Sequence, residues 1–252
     1  GDWLLAALGG PTPAAVRALE ALGVALAAAV ALGAGGRLPI LALGQVYLAL
    51  ISADPHVQGG YDSMIVNALW LLVLADATAT GSVDARVRRG AWWPEVLVPA
   101  WPRYLVVFQL VVVYTATGLQ KVGFPWTPAG GFSALYWVFQ EPTWRRFDMS
   151  ASAWVYPLTQ VATAVTWIWE IGAPIVLVAA YVRRTRGRPG RLRALLGRWD
   201  LRAGYAAIGI ALHLGILLVF NVGPFSWISL AYYLCLWHPD EAPWRRRARP
   251  RN

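Results

Sequence analysis

The feature that most constrains this chain is a series of apolar stretches, several of which reach about 20 residues. That is the length an α-helix needs to cross the hydrocarbon core of a bilayer. Of the 252 residues, 58% are hydrophobic and only 14% are charged, so little polar sequence separates one stretch from the next. We therefore predict an all-α fold, a polytopic bundle of transmembrane helices. Its predicted partner is the lipid bilayer.

Breaks at glycine, proline and arginine divide the chain into about seven predicted spans. Their ranges are 14–33, 38–52, 61–80, 103–120, 154 or 157 to 182, 203–221 and 225–237. The aromatic segment 132–140 is too short to cross and is expected to lie at the interface or to re-enter as a small helix. The chain starts with glycine and shows no signal peptide, so we expect one more helix upstream. All 252 residues are predicted to form one transmembrane domain, with a basic tail at 239–252.

The arginines predict an orientation in the membrane. The net charge of +9 comes from arginines clustered in short loops and at the C-terminus, which follows the positive-inside rule and argues against a nucleic-acid partner. If the most basic loop, 183–202, is cytoplasmic, then alternation places the loops around 37 and 86–103 and the tail there as well. The opposite side receives the loops at 54–60, 121–152 and 223–224. We predict a multi-pass plasma-membrane protein with this topology.

Several kinds of site are excluded by what the sequence lacks. Cys235 is the single cysteine, which rules out an intrachain disulfide and a CxxC redox or zinc site. No P-loop, GxGxxG, HExxH or GxSxG arrangement is present, so nucleotide, zinc-protease and serine-hydrolase chemistry have no supporting motif. We predict no metal site.

One cation differs from all the others. The chain has 22 lysine and arginine residues, and Lys121 is the only lysine among them. Arginine stays protonated in proteins, whereas a partly buried lysine can lose its proton and act as a base. The alternative is that Lys121 is a snorkelling anchor at the membrane boundary, since it directly follows the fourth predicted span.

Two further ionisable side chains are predicted to lie well inside spans, where such residues are costly and usually face a cavity or a partner. Glu170 lies about 13 residues into the fifth span and shares a helix face with Thr163 and Thr166. His213 lies near the middle of the sixth span. With Lys121 they are candidate acid and base groups facing the outer half of one cavity, because burial tunes such groups for proton transfer at neutral pH. The same three residues also suit an ion-pair network that only fixes helix packing.

Four stretches carry a family resemblance, and they occur in the order expected of that family. They are Gly59-Gly60-Tyr61-Asp62-Ser63 with Gly81-Ser82-Val83-Asp84, Gly118-Leu119-Gln120-Lys121 with Trp126 and Gly130-Gly131, Thr166-Trp167-Ile168-Trp169-Glu170-Ile171, and Leu212-His213-Leu214-Gly215 with Phe225-Ser226-Trp227. Across residues 37–238 the set resembles the vitamin K-dependent γ-carboxylase-like transmembrane domain, or HTTM family. The resemblance implies a bacterial membrane protein, a helical bundle whose site opens to the exoplasmic side.

In the carboxylase branch of that family, a lysine in the G-x-x-K position is the proposed base that deprotonates reduced vitamin K. Oxygenation then gives an epoxide and a strong base, which removes the γ-proton of a glutamate before CO₂ adds. Only Lys121 matches that machinery. The carboxylases also carry a histidine early in the helix that begins with Gly60 here, and this sequence has none at that place. Peptide γ-carboxylation is therefore not expected.

The resulting hypothesis is a quinol-linked membrane enzyme, either a carboxylase- or epoxidase-like lyase or an oxidoreductase, with a reduced quinone of the vitamin K or menaquinol type as cofactor. The residues assigned to it are Lys121 as base, Glu170 and His213 to hold or relay the proton, and Tyr114, Trp126 and Asp62 to line the site. The alternative is non-enzymatic: a membrane carrier, or an accessory subunit for export or maturation of a secreted peptide, with a redox partner as a further candidate. An internal repeat would favour a carrier, and none is evident.

Overall fold

The computed structural model of this chain describes residues 2–54, 56, 58–149, 152–185, 187–238 and 241. Within these ranges every regular element is a helix, and the one extended pairing is an isolated bridge between Arg145 and Phe220. The prediction of an all-α fold is confirmed. The chain forms two compact units, the first up to Val106 and the second from Val107 onward. The predicted basic tail lies outside the described residues except for Glu241.

The first unit is built on a hairpin of two apolar helices. Its helices are α1 (Trp3–Ala7), α2 (Pro13–Leu32), α3 (Arg37–Ala53), α4 (Gly60–Leu74) and α5 (Val83–Arg89). The hydroxyl of Thr12 caps α2, and Pro13 stands at the first helical position, where its fixed φ suits the helix and its missing N–H costs nothing. Leu5, Leu19 and Val46, from α1, α2 and α3, form the buried core of this unit.

The start of α5 packs against and hydrogen-bonds to the turn between α2 and α3. Gly33 ends α2 at φ 63, and a Cβ there would lie 2.3 Å from the Cβ of Ser82. The Asp84 carboxylate accepts a hydrogen bond from the Gly35 N–H at 3.0 Å, and the Asp84 N–H donates to the Gly33 carbonyl at 3.1 Å. The Gly35 hydrogen bond, with help from Arg88, holds the pKa of Asp84 below its usual value. The Ser82–Asp84 motif thus has a clear structural role.

The helix α6 (Trp101–Gln120) leads into the second unit. The unit continues with α7 (Ala134–Gln140), α8 (Tyr156–Ile171), α9 (Ile175–Arg184), α10 (Arg191–Arg198), α11 (Leu201–Val219) and α12 (Phe225–Tyr233). Short 3-10 turns lie at Phe124–Trp126, Pro128–Gly130, Ser152–Val155 and Leu234–Leu236. The central helix is α11, which contacts α8, α9 and α12, while α7 packs on α8.

Three helices, α2, α6 and α11, are long and apolar enough to cross a bilayer. The bent pair formed by α8 and α9 makes a fourth candidate, and α3, α4 and the run Phe225–Leu236 are apolar but shorter. The structure therefore shows three or four candidate membrane spans by length and composition. The third predicted span, 61–80, is shorter than expected because α4 ends at Leu74 and Asp76 adopts a left-handed φ of 51.

The fifth predicted span is a broken helix. Residues Ala153–Ile171 and Ile175–Arg184 meet at an angle of 49°. The break lies at Gly172-Ala173-Pro174, where Pro174 has no N–H to donate and the Ala173 N–H bonds to the Glu170 carbonyl in a tighter turn. Glu170 is consequently placed at the end of α8, next to an irregular segment.

The connection between α7 and α8 is tied to the end of α11. The Arg146 guanidinium Nε donates to the Phe220 carbonyl at 2.8 Å, and the Arg146 backbone N–H donates to the Val219 carbonyl at 3.0 Å. The Asn221 N–H in turn donates to the Trp144 carbonyl at 2.7 Å. Arg146 therefore satisfies backbone carbonyls that α11 leaves open where it ends.

A buried ion cluster joins α9, α11 and the segment after α12. Arg202 is only 4% exposed, and its guanidinium donates to both carboxylate oxygens of Asp200, at 2.9 and 3.0 Å. It also donates to both oxygens of Glu241, at 3.0 and 3.1 Å, and to the Leu236 carbonyl at 2.9 Å. Arg183 adds an ion pair to Asp200 at 2.9 Å. Four full charges therefore balance within this cluster.

We expect Arg202→Met to destabilise the protein, because it leaves two partly buried carboxylates short of their main partner. Breaking a buried ion pair from one side costs about 3 kcal/mol, or roughly 5–10 °C in Tm for a chain of this size. The measurement is thermal unfolding in detergent followed by tryptophan fluorescence. Arg198→Met is the matched control, since Arg198 is exposed and lies in the same basic segment. Equal Tm values for the two variants would contradict the role given to Arg202.

Acid should weaken the same cluster. Burial alone raises the pKa values of Asp200 and Glu241, but the hydrogen bonds and charge of Arg202 outweigh it and hold both pKa values below normal. A carboxyl whose pKa is lowered by folding stabilises the protein above its unfolded pKa, and that contribution is lost as the pH falls. We expect the Tm gap between wild type and Arg202→Met to be full above about pH 5 and to shrink towards pH 3. A gap that stays constant over this range would contradict the assignment.

Candidate functional site

Two of the predicted residues meet in an ion pair. The Lys121 ammonium, just past the end of α6, donates a hydrogen bond to a Glu170 carboxylate oxygen near the end of α8. The side chains are 21% and 10% exposed, so the pair is largely buried while the lysine keeps some access. The ammonium also lies 4.8 Å from the ring centroid of Trp126, within the range of a cation–π contact. Lys121, Glu170 and Trp126 therefore form one group, named here the lysine cluster.

A glycine lets the two helices approach closely enough for this pair. A Cβ on Gly118 would lie 2.9 Å from the Glu170 Cβ and 2.9 Å from the Ile171 nitrogen, which is closer than real contacts allow. Gly118 stands one helical turn before Lys121. The G-x-x-K spacing thus has a physical meaning: the glycine brings α6 against α8, and the lysine reaches the carboxylate of α8.

Tight turns position Trp126 over the lysine. The Trp126 N–H donates to the Gly123 carbonyl at 3.0 Å, and the Gly130 N–H donates to the Thr127 carbonyl at 3.1 Å. A Cβ on Gly130 would lie 2.0 Å from the Phe124 carbonyl oxygen, so only glycine fits there. The Trp126 and Gly130 positions of the motif therefore build one compact turn.

Side chains on the predicted polar face of α8 form hydrogen bonds with the backbone between Gly131 and Leu135. The Thr163 hydroxyl accepts a hydrogen bond from the Leu135 N–H at 3.1 Å, at the start of α7, and donates to the Thr159 carbonyl at 2.8 Å. One turn earlier, the Gln160 amide donates to the Gly131 carbonyl at 2.6 Å. One face of α8 thus supplies both the carboxylate of the ion pair and the anchors of the segment that carries Trp126.

His213 lies in a second, uncharged cluster that includes the predicted Tyr114. The Tyr114 hydroxyl is 2.6 Å from His213 Nε2, the Tyr233 hydroxyl donates to Tyr114 at 3.2 Å, and His213 Nδ1 is 3.4 Å from the Ser226 hydroxyl. The donor and acceptor roles at His213 depend on its tautomer: if the Tyr114 hydroxyl donates to Nε2, the imidazole proton sits on Nδ1 and can be donated to Ser226. All four side chains are at most 2% exposed. They form a chain of hydrogen bonds, the tyrosine–histidine cluster.

Trp169 links the two clusters along α8. Its ring lies 4.5 Å from the Tyr114 ring and is stacked on Tyr205 at 4.8 Å, and its indole N–H donates to the Tyr205 carbonyl at 2.9 Å. The next residue is Glu170 of the lysine cluster. On α6, Tyr114 and Lys121 are seven residues apart and so share a face two turns apart. The two clusters are therefore joined through α6, which carries Tyr114 and leads to Lys121, and through the neighbouring residues Trp169 and Glu170 of α8, while His213, Ser226 and Tyr233 lie on α11 and α12.

An apolar cavity of about 680 Å³ adjoins Trp169. It lies among the end of α8, the start of α9 and the first half of α11, with Ile175, Tyr205 and Ile208 among its lining residues and Asp200 as its charged member. The Tyr205 hydroxyl is buried and has no hydrogen-bond partner among the described residues. The cavity is open to the surroundings, and Lys121, Glu170 and Trp126 are not among its lining residues.

Asp62, predicted to line the site, lies in the first unit. Its carboxylate accepts hydrogen bonds from the Tyr47 hydroxyl at 2.5 Å and from the Gly59 N–H at 2.7 Å. The first bond joins α4 to α3, and the second caps the start of α4. These contacts give Asp62 a structural role, and its part in binding stays a prediction.

Sequence reasoning missed three contributors to the site. Tyr233 carries no local signal, because its partner Tyr114 is 119 positions away. Trp169 and Ser226 stood inside the recognised motifs, yet the charged neighbour Glu170 is the side chain that attracts notice in a membrane span. Sequence separation hides the pairing of such uncharged groups.

Comparison with known proteins gives one match. A family model described as the HTTM domain matches residues 4–181, a range that includes the lysine cluster and ends before His213. No curated protein and no solved structure matches the chain. The match begins earlier and ends earlier than the 37–238 suggested by the motifs.

We expect Gly118→Ala to push α6 and α8 apart and to lower stability by about 1–3 kcal/mol, as overpacking does. The measurement is Tm in detergent. Gly215→Ala in α11 is the matched control, because a Cβ there meets no atom within 4 Å and alanine favours helix by up to about 1 kcal/mol. If Gly118→Ala were as stable as Gly215→Ala, the close approach at Gly118 would be wrong.

Proposed function

The chain belongs to the HTTM family of membrane proteins, and we propose that it is an enzyme that removes a proton from a hydroxy-aromatic substrate of the reduced-quinone class. The observation that carries the proposal is the ion pair of Lys121 and Glu170, which is mostly buried and lies beside Trp126. A charged pair inside apolar helices is costly to bury, so it is typically kept for a function.

The pair takes the substrate proton through a balanced exchange. In the resting ion pair Lys121 is an ammonium and Glu170 a carboxylate, and a low-dielectric surrounding favours passage of that proton to give amine and carboxylic acid. The amine then accepts the hydroxyl proton of the substrate. The resulting ammonium pairs with the substrate oxyanion, while Glu170 stays neutral. An arginine in place of Lys121 cannot supply the amine, because its guanidinium stays protonated.

The tyrosine–histidine cluster has the supporting role of holding or relaying a proton. Tyr114 donates to His213, so a proton taken up at either end can shift along the chain of hydrogen bonds from Tyr233 to Ser226. The cluster carries no charge of its own and so does not compete with the ion pair. The place of Tyr114 on α6, seven residues before Lys121, supports this assignment.

Two further features suit a substrate with an aromatic head and an apolar tail. Trp126 offers a ring face next to Lys121, and aromatic rings pair favourably with one another. The cavity of about 680 Å³ beside Trp169 offers apolar room for a hydrocarbon chain. A menaquinol-type molecule has both parts. A redox partner in the membrane and a secreted peptide are the candidate partners.

The topology that accompanies this function is a single domain of seven spans in a bacterial plasma membrane, with the Arg-rich loops in the cytoplasm. Counting α8 and α9 as one bent span, and α3, α4 and the run Phe225–Leu236 as short spans, gives seven together with α2, α6 and α11. The arrangement keeps every arginine-rich loop on one side, which supports it.

The test uses 4-methoxy-1-naphthol, which has one acidic hydroxyl and absorbs at longer wavelength when ionised. We expect wild-type protein in detergent at pH 7 to bind this probe in its ionised form. Lys121→Met and Lys121→Arg should each lower the ratio of ionised to neutral bound probe by about tenfold or more, since one pKa unit is a factor of ten. Glu170→Gln should leave the bound probe ionised, because glutamine resembles the neutral carboxylic acid that accompanies the ammonium and the oxyanion. Arg145→Met, which breaks an exposed ion pair with Asp148, is the control and should behave like wild type.

Two outcomes would overturn the proposal. Full ionisation of the probe by Lys121→Arg would mean that a fixed positive charge is enough and that Lys121 is not a base. If the bound probe absorbed equally with wild type and all variants, the proposed site would be wrong. The non-enzymatic carrier or accessory role would then be the better account. Thermal unfolding of each variant shows whether it is folded when the probe is added.

A further inference from the structure

The helix α2 carries two charges on a face that the other helices of the first unit leave uncovered. Only 11% of its apolar window is buried, the smallest share among the three long candidate spans. Its inward side is marked by Ala15 and Leu19, whereas Arg17 and Glu20 are both exposed. Neither charge has an ion-pair partner among the described residues. Both side chains therefore face the surroundings of the helix.

The depth of Glu20 makes an unpaired carboxylate there costly. The helix has 20 residues, about 30 Å, which equals the thickness of the hydrocarbon core. Glu20 stands seven residues after Pro13, about 10 Å from that end. An arginine reaches the interface from this depth by snorkelling, but the shorter glutamate side chain does not. Glu20 consequently needs a cation brought to it.

We propose that two copies of this chain pair through α2, with Arg17 of each copy bound to Glu20 of the other. In a two-fold pair about an axis along the membrane normal, the same positions face each other, so the two contacts form together. The residues differ in height by about 4.5 Å, which a guanidinium spans easily. Each helix then satisfies the charge of the other, and the pair is neutral as a whole.

The rest of this face suits a close helix contact. At about 100° per residue, Ala21, Val24 and Ala28 fall on the same side of α2 as Arg17 and Glu20. All three are exposed, Val24 by 73%. Small residues let two membrane helices approach closely and gain van der Waals contact, which drives association in lipid. The contacts between Arg17 and Glu20 fix how the two copies of α2 align, and the alanines allow the two helices to pack closely.

The first test is reciprocal charge rescue with the full chain in native membranes. Arg17→Glu gives a chain with two acids on this face, and Glu20→Arg gives a chain with two bases. Each variant alone should pair about tenfold less than wild type, because like charges meet in a low-dielectric setting. Co-expression of the two, with different tags, should restore co-purification of one with the other to near the wild-type level. Glu20→Gln, which inserts at least as readily, should also weaken pairing.

The pairing is read by cysteine cross-linking in a Cys235→Ser background, which leaves no native thiol. Ala28→Cys lies on the proposed face and should form disulfide-linked dimers on mild oxidation. Ala18→Cys is equally exposed but lies about 100° around the helix from Arg17, so it should cross-link far less. These two variants differ only in position on one helix and control for expression and oxidation.

Three results would overturn the proposal. One is cross-linking at Ala18→Cys equal to that at Ala28→Cys. Another is co-purification of the single charge variants at the wild-type level. The third is the absence of rescue when the two opposite variants are combined, which would mean that Arg17 and Glu20 pair within one chain or with a different protein.

Discussion

The contact on which the second unit depends is the meeting of α6 and α8 at Gly118, where the ion pair of Lys121 and Glu170 forms. A buried pair of charges is tolerated only if each partner is held in place, because either one alone costs several kcal/mol in an apolar setting. Three local features hold them. Gly118 removes the side chain that would separate the helices, the break after Gly172 ends α8 next to the carboxylate, and the Thr163 and Gln160 anchors fix the turn that carries Trp126. Each feature would be unremarkable alone, and together they place an ammonium where membrane helices normally exclude one.

The second unit contains two polar clusters, one charged and one uncharged. The lysine cluster holds a full charge pair with partial access, and the tyrosine–histidine cluster is uncharged, enclosed and closed in its hydrogen bonding from Tyr233 to Ser226. Trp169 stands between them, with one ring face near Tyr114 and a stacked contact to Tyr205. Each cluster has a matching hydrogen-bond donor and acceptor. Moving a net charge between them would require a substrate or a second proton to compensate it.

The sequence predicted the helices and the charged part of the site, and the reasons are physical. Apolar stretches of sufficient length leave helix as the available structure in a membrane, and a solitary lysine or a mid-span glutamate is costly enough to stand out. Helix ends were harder to predict: α4 ends at Leu74 and α8 at Ile171, inside stretches whose overall composition suits a longer span. The uncharged partners were hidden for a related reason: tyrosine, serine and tryptophan are ordinary in membrane spans, and their contacts join positions far apart in the chain. Motif residues also divide by their contacts, since Ser82 and Asp84 hold a turn while Lys121 forms a largely buried ion pair.

The use of arginine and lysine in this chain follows what each group can do. Arg202 binds two carboxylates and a carbonyl through its planar fork, and Arg146 binds carbonyls left open at the end of α11. Both are fixed cations in structural positions, where several simultaneous hydrogen bonds and a permanent charge are useful. Lys121 instead has one carboxylate and one aromatic ring, a simpler set of partners around a group able to give up its proton. Arginine would have supplied the charge at this position with better geometry for the carboxylate. The proposed role as a base requires the neutral amine, which lysine can supply and arginine cannot.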